Sequence, residues 1–169
     1  MFIIIVLMCL SPICLAGESE SAWLRAAEPQ PESPPSVVPA TAADGVVLEA
    51  LSLLGIGYKR AGKIPQSGFD CSGLVRYVYR EAEGIELPNT ARELARLGKK
   101  VQRNALQPGD LVFYNTLRRA FSHVGIYLGD NRFIHAPRPG GEVRIDDMSS
   151  QYWVARFDGA RRIETPSTH

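Results

Sequence analysis

Apolar residues recur at helical spacing in three stretches between residues 41 and 98. The clearest stretch follows Cys71, where the apolar positions have the i, i+3, i+4, i+7 spacing of a helix with one buried face: Leu74, Val75, Val78, Tyr79 and Ala82. Asp70 stands at the N-cap position of this stretch, and Gly84 is a natural C-terminal stop. The pattern predicts a helix with Cys71 in its first turn.

Two further helices are predicted, one before and one after this helix. A capping-box pattern, Thr41-x-x-Asp44, precedes an apolar run that ends at Gly55 and consists of Val46, Val47, Ala50, Leu51 and Leu54. A shorter helix is predicted from a second such pattern, Thr90-x-x-Glu93, followed by the inward-facing Leu94 and Leu97 and the terminating Gly98.

Beyond residue 100 the apolar spacing changes from helical to alternating. Leu111–Tyr114 follows a Pro-Gly-Asp turn, and His123–Leu128 places Val124 and the next two alternate residues on one face. Further strands are predicted at Arg132–His135, at Val143–Ile145 and around Arg156–Ile163. Helices followed by an antiparallel sheet define an α+β domain, with N-terminal helices packed on an antiparallel β-sheet.

The segment before residue 41 has a different composition. Residues 1–10 are almost entirely apolar and lead to a small-x-small site, Cys14-Leu15-Ala16, which predicts a signal peptide at 1–16. No basic residue precedes the apolar run, so an uncleaved anchor stays open as an alternative. A membrane span needs about 20 apolar residues, and we therefore expect no stable span after cleavage. Neither Cys9 nor Cys14 follows the small residues of a bacterial lipoprotein signal.

Residues 17–40 contain five of the twelve prolines, mixed with Glu, Ser and Gln, and are predicted to be a disordered linker. The domain then spans 41–169. With this layout, we expect an exported protein, located in the periplasm or the cell envelope.

Charge and cysteine content limit the classes of partner and the kinds of cross-link that the chain can have. The chain has a net charge of +1, but residues 17–44 carry one Arg against five acidic residues, whereas residues 45–169 have a net charge of +5. The Lys and Arg residues form no run, which excludes nucleic acid as the favoured partner and is compatible with an anionic polymer. Once the leader is removed, Cys71 is the one cysteine left, so no internal disulfide can form.

His123 and His135 are predicted to be neighbours on the sheet. With Gly129–Asn131 taken as a three-residue turn, the two strands pair in a register that puts both histidines on the same face, opposed or diagonally adjacent. A two- or four-residue loop would put them on opposite faces.

Cys71, His123 and His135 together have the composition of a cysteine acyl-transfer site. The positive end of a helix favours a thiolate at Cys71, and the thiolate is the nucleophilic form. A histidine can deprotonate the sulfur, and a second polar group must orient that histidine. Here His135 would orient His123, although an Asp or Asn is more usual in this position.

Four motifs of the chain resemble one known family, the NlpC/P60 cell-wall peptidases. In chain order they are Asp70-Cys71-Ser72-Gly73-Leu74-Val75, Leu106-Gln107-Pro108-Gly109-Asp110-Leu111-Val112-Phe113, Ser122-His123-Val124-Gly125-Ile126-Tyr127-Leu128-Gly129 and Phe133-Ile134-His135-Ala136. The resemblance runs from about residue 46 to residue 163 and implies a papain-like NlpC/P60 fold. With a single domain, a leader and a short linker, the chain resembles the periplasmic murein endopeptidases of this family.

The resemblance also implies roles for individual residues. Cys71 corresponds to the nucleophile, His123 to the base and His135 to the orienting residue. Tyr58, Asp70 and Ser72 correspond to positions that line the substrate side. The implied reaction is hydrolysis of peptide bonds in peptidoglycan stem peptides or cross-links, by a monomer without a cofactor or metal. Arg118 and Arg119 either meet substrate carboxylates or belong to a solvated loop.

Three alternatives remain beside this interpretation. A structural zinc site could use Cys71, His123 and His135, but structural sites usually have four ligands with closely spaced pairs. The same fold could be a catalytically silent peptidoglycan-binding module, because fold does not establish activity. An amidase or acyltransferase could use the same residues with another acceptor.

Overall fold

In the computed structural model, residues 42–164 are described, and they form four helices, a short 3-10 helix and eight strands. The predicted signal peptide 1–16, the linker 17–40 and the cap at Thr41 lie outside the described residues. The elements are, in chain order, α1 (Ala42–Ser52), β1 (Lys63–Ile64), β2 (Gly68–Phe69), α2 (Cys71–Glu83), α3 (Ala91–Leu94), β3 (Lys99–Val101), the 3-10 helix (Arg103–Ala105), β4 (Leu111–Tyr114), β5 (His123–Gly129), β6 (Arg132–His135), β7 (Arg144–Asp147), α4 (Gln151–Val154) and β8 (Phe157–Arg162).

Six of these strands form one antiparallel sheet in the order β3-β8-β4-β5-β6-β7, and β1 and β2 form a separate small hairpin. The predicted α+β class, with early helices against an antiparallel sheet, is confirmed. Strands β4, β5, β6, β7 and β8 lie within two residues of their predicted positions. The hairpin β1–β2, the edge strand β3 and the four-residue α4 were not predicted, because each is too short to show a periodic pattern.

Helix α2 packs on one face of the sheet and carries the nucleophile candidate at its first residue. Of its predicted apolar positions, Leu74, Val75, Val78 and Tyr79 are buried, and the helix packs against strand β5 and helix α1. Tyr79 anchors it, since its buried hydroxyl donates a 2.6 Å hydrogen bond to the carbonyl of Gly109 in the turn before β4. Gly84 ends α2 in the left-handed conformation, as predicted.

Helix α1 packs on α2 with a phase that differs from the prediction at its C-terminal end. Val46 and Ala50 are buried as predicted, but Leu53 is buried and Leu54 is exposed. Leu53 continues the i, i+4, i+7 spacing of Val46 and Ala50, whereas Leu54 lies exposed in the turn after the helix ends at Ser52, so the prediction for Leu54 was wrong.

The opposite face of the sheet is covered by α4. Its Trp153 packs with the rings of Tyr114 and Phe133, and Tyr114 in turn contacts Phe157 of β8. This second cluster fixes the position of α4 beside strand β7. No helix among the described residues has the length and apolar content that a membrane crossing requires.

The hairpin between β5 and β6 differs from its prediction in one detail. Its loop has two residues, Asp130 and Asn131, both with positive φ (48° and 56°), because Gly129 already pairs with Arg132. The predicted three-residue turn is therefore wrong. The register shifts at Leu128, which is an extra residue on β5 and forms a β-bulge. The bulge restores the same-face register that a two-residue loop alone would have lost.

Candidate active site

Cys71 is held at the start of α2 by a hydrogen-bond network around Asp70. One carboxylate oxygen, Oδ1, accepts from the backbone N–H of Gly73 at 2.7 Å, which is the predicted N-cap bond. The other oxygen accepts from the N–H of Ala61 at 3.0 Å and so ties the preceding loop to the helix. The Ser72 hydroxyl lies 3.1 Å from Asp70 Oδ1 and 2.8 Å from the carbonyl of Asn89. The nucleophile candidate is therefore in a fixed position.

The first turn of α2 also lies directly against the loop that leads to it. A Cβ atom added at Gly73 would collide with the carbonyl oxygen of Gly62. This close approach requires glycine at position 73, which accounts for the glycine two residues after the cysteine in the motif.

The thiol of Cys71 is not in the state that its helix position alone predicts. Burial and, next, the carboxylate of Asp70 raise the pKa of Cys71 to about 11, although backbone N–H groups of Val124, Ser72 and Cys71 itself act in the opposite direction. The expectation of a resting thiolate is therefore wrong. Because Val124 follows His123 directly on β5, this backbone contact also brings the sulfur to the strand that carries His123.

His123 and His135 are in direct contact, as predicted. His123 Nε2 and His135 Nδ1 are 2.8 Å apart, and both side chains are buried. Strands β5 and β6 pair Ile126 with Ile134, so the two histidines are diagonal neighbours on one face. A Cβ atom at Gly125 would lie 2.6 Å from the ring of Phe133 and 2.7 Å from the carbonyl oxygen of Ile134, so glycine is needed where β6 approaches β5.

Asp146 extends the pair to a third group, and sequence reasoning missed it. Its Oδ2 atom lies 3.0 Å from His135 Nε2 and 3.2 Å from the indole nitrogen of Trp153. Arg144 clamps both carboxylate oxygens, with Nε and Nη2 each at 3.0 Å. The hydrogen bonds from His135 and Arg144 hold the pKa of Asp146 well below its usual range.

The sequence signal that could have identified Asp146 is the alternation of side-chain direction along strand residues 144–147. On the strand beside β6, Arg144 pairs with His135, and Asp146 is two residues further on the same face. Finding it requires knowledge of the β6–β7 register.

The hydrogen bonds determine which ring nitrogens carry protons. An ionised carboxylate only accepts, so His135 donates through Nε2 and its Nδ1 carries a lone pair. His123 must then donate through Nε2, which leaves the lone pair of His123 on Nδ1. Burial lowers the pKa of both histidines, opposed by the charge of Asp146, so both rings are neutral near pH 7. The neutral His123 has one nitrogen free to take a proton.

Tyr58, Asp70 and Ser72, the candidates for the substrate side, lie around the cysteine. Tyr58 is half-buried, and its pKa is raised first by burial and then by the nearby charges of Asp70 and Cys71. Asp70 and Ser72 line one cavity together with Cys71 and Arg119. Their substrate contacts stay predictions, and the hydroxyl of Ser72 is already engaged within the protein.

A second, larger cavity lies on the side of the histidines. It is lined by His123 and Asp146 and by two arginines, Arg138 and Arg144. Arg119 lines the cysteine cavity, whereas Arg118 lines neither of the two. The residues that could catalyse are therefore flanked on both sides by cavities with cationic walls.

The zinc alternative has no ligand set in this part of the chain. Within residues 42–164, no three His, Cys, Asp or Glu side chains are grouped so that they could hold a metal ion. The arrangement of Cys71, His123, His135 and Asp146 instead has the order of a nucleophile, a base and two successive orienting groups.

The sequence and fold match known proteins over the same region. A family profile described as "NlpC/P60 family" matches residues 55–162. The chain is 43% identical over 118 residues to murein DD-endopeptidase MepH of Escherichia coli K12, covering 68% of this chain and 44% of the relative. It is 44% identical over 127 residues to gamma-DL-glutamyl hydrolase of Bacillus subtilis, covering 75% of this chain and 30% of the relative.

A solved structure gives the same result for the fold. The crystal structure of an NlpC/P60 family protein from Bacillus cereus superimposes with a TM-score of 0.68 at 34% identity, covering 76% of this chain and 42% of that one. The chain spans less than half the length of the curated relatives described above.

Proposed function

Since the chain belongs to the NlpC/P60 family, we propose that it is a cysteine endopeptidase that hydrolyses peptide bonds in peptidoglycan stem peptides or cross-links. One observation carries the proposal: the hydrogen-bonded series His123–His135–Asp146 leaves a free lone pair on His123, and the backbone N–H of the next residue on that strand, Val124, is near enough to lower the pKa of the Cys71 thiol. The names of two relatives, a murein endopeptidase and a glutamyl hydrolase, support the substrate class.

Catalysis begins from a neutral thiol and a neutral imidazole. His123 Nδ1 takes the proton of the Cys71 thiol as the sulfur attacks the carbonyl carbon of the substrate, and the carbonyl electrons move to its oxygen. Backbone N–H groups at the N-terminus of α2 stabilise that oxyanion.

The second half of the reaction returns the proton. Imidazolium His123 gives its Nδ1 proton to the leaving amine, the C–N bond breaks, and a thioester to Cys71 remains. Water, deprotonated by His123, then attacks the thioester and releases the acid and the thiol. Throughout, His135 accepts from His123 Nε2, and Asp146 keeps His135 in the accepting tautomer while its negative charge stabilises the imidazolium.

The cavities on both sides of the site suit an anionic peptide. Arg119 on the cysteine side and Arg138 on the histidine side can meet carboxylates of the stem. Tyr58, Asp70 and Ser72 form the wall nearest the nucleophile and contact the substrate there. With the predicted signal peptide, this activity belongs to the cell envelope.

The test is digestion of isolated peptidoglycan by the purified protein, with products identified by chromatography and mass spectrometry. Cys71→Ala is the matched control, and His123→Ala should lose nearly as much activity because the two residues act as a unit. New fragments with the wild type alone support the peptidase, and their masses identify the bond. Equal fragments from wild type and Cys71→Ala would refute it, and no fragments from either would favour the silent binding module.

A further inference from the structure

A continuous groove runs from Cys71 towards the β3–β8 edge of the sheet, and Phe121 lies along its whole length. Phe121 lines the cavity beside Cys71, the next cavity along the surface and a third cavity at the sheet edge. The first two also share Arg92, and the last two share Lys100 and Arg161. The three cavities are therefore parts of one surface, the Phe121 groove, whose basic residues are Arg92, Arg96, Lys100, Arg103, Arg119 and Arg161.

The floor of this groove is held in an unusual backbone conformation. Phe121 has φ of +52°, which a bulky side chain rarely adopts. Asp158 holds it by accepting the Phe121 N–H at 2.8 Å, and Phe113 packs edge-on against its ring at 5.9 Å between centroids. Strained residues that the surroundings fix in this way cluster at functional sites.

The middle of the groove has positive charge without compensation. It is lined by Arg92, Arg96, Lys100 and Arg161, and none of its lining residues is acidic. Among the described residues, no ion pair involves these four or Arg119. The carboxylate of Asp158, at the far end, is already bonded to the backbone of Phe121. A groove of this kind attracts anions.

We propose that the Phe121 groove binds carboxylates of the peptidoglycan substrate that lie beyond the bond being cut. This rests on the proposed function, because it extends the substrate from Cys71 along a surface continuous with the cysteine cavity. Guanidinium groups pair with carboxylates in two-point contacts, and three of the four basic residues in the middle of the groove are arginines. An enzyme with this groove prefers the polymer, with carboxylates on neighbouring stems, to a single released stem.

Strand β3 offers a matched pair of variants. Lys99 and Lys100 are adjacent and both exposed, but only Lys100 lines the groove. In a Cys71→Ala background, sedimentation with isolated peptidoglycan at low salt measures binding without turnover. Lys100→Glu combined with Arg96→Glu should weaken binding roughly tenfold, whereas Lys99→Glu combined with Lys63→Glu, the same change of charge at exposed positions outside the groove, should change it less than about twofold. Peptidoglycan with its carboxylates amidated should bind weakly to all of these proteins.

Two results would contradict binding in the groove. One is equal weakening by the control pair Lys99→Glu/Lys63→Glu, which would indicate an effect of total charge. The other is unchanged binding by the Lys100→Glu/Arg96→Glu variant. Unchanged circular dichroism and melting temperature establish that the variants are folded. In the active protein, the Lys100→Glu/Arg96→Glu double variant should lower kcat/KM on the polymer about tenfold and leave it unchanged on the smallest muropeptide that the wild type cleaves. Binding that depends on Lys100 without any cleavage would refute the peptidase and keep the groove. If the double variant cleaves both the polymer and the muropeptide as well as the wild type does, the peptidase is supported and the groove proposal is refuted.

Discussion

Asp146 Oδ2 lies 3.0 Å from His135 Nε2, so the second imidazole of the site has a carboxylate behind it. The sequence alone predicted no group beyond His135, and a neutral imidazole stabilises an imidazolium less well than a carboxylate does. The structure replaces that weaker arrangement by one in which negative charge reaches His123 through one intervening ring.

Asp146→Asn should lower kcat roughly tenfold to a hundredfold, because the neutral amide still accepts a hydrogen bond but no longer supplies charge. The carboxylate raises the pKa of both histidines, so its loss should move the acid limb of the kcat/KM profile to lower pH. The pH profile with a peptidoglycan fragment measures both effects. Asp147→Asn is the control, because this exposed neighbour bonds only its own turn at Ser149. Equal losses in the two variants would contradict the role of Asp146.

Stability should fall on mild acidification because the two histidines are buried and neutral. Their folded pKa is lowered below the unfolded value of about 6.5, so the unfolded chain takes up protons that the folded one does not. Stability is complete above that value and decreases as pH falls towards the folded pKa. Asp146, whose pKa is lowered, acts in another window and loses its contribution only below about pH 4.

Urea midpoints between pH 7 and pH 5 measure this effect. The wild type should lose up to about 1.4 kcal/mol per pH unit for each histidine, and His135→Gln should show a shallower decline. A midpoint that stays constant over this range would be inconsistent with two buried neutral rings.

Alkylation of Cys71 should be slow at neutral pH and accelerate with pH towards about 11, in step with the thiolate. Asp70→Asn keeps an N-cap side chain but removes the charge that helps to raise this pKa, so its labelling profile should shift to lower pH. Iodoacetamide rates from pH 7 to 10 provide the measurement, and Asp130→Asn, with the same charge change at an exposed turn, is the control. Superimposable profiles for wild type and Asp70→Asn would show that the charge has no such effect.

Two glycine-to-alanine substitutions in helices should have opposite signs. At Gly73 the added Cβ collides with the carbonyl of Gly62, which should destabilise the fold by roughly 1–3 kcal/mol and displace Cys71. At Gly45 in α1 its nearest neighbour is Glu83 Oε1 at an ordinary 3.5 Å, and alanine should stabilise the helix by roughly 0.5–1 kcal/mol. Chemical denaturation of both variants tests the pair, and the same sign for both would contradict the packing at Gly73.

Local patterns predicted the elements that depend on neighbouring residues. Helix α2 follows from its apolar spacing, and its ends follow from Asp70 and Gly84, because a cap is determined within a few residues. The contact of His123 with His135 was predicted as well, but through a wrong loop length. The bulge at Leu128 has no local signature, so the correct register came from an incorrect turn.

Features that depend on distant pairing or on burial could not be predicted. Asp146 reaches His135 only through the β6–β7 register, and that register is determined by strand pairing across a loop. The raised pKa of Cys71 depends on how deeply the sheet and the neighbouring loops cover the sulfur, which the helix dipole argument leaves out.

The bulge at Leu128 makes the contact between His123 and His135 depend on whether the number of residues in the hairpin end is odd or even. Five residues lie between Tyr127 and Phe133, the last pair in the regular register, and because this number is odd both imidazoles face the same side. Deleting Leu128 alone would turn one histidine to the opposite face of the sheet, and inserting one residue in the loop of that variant would turn it back. Length changes in this hairpin are therefore tolerated in compensating pairs, and a homologue with a longer tip is expected to conserve the parity of the segment and not its sequence.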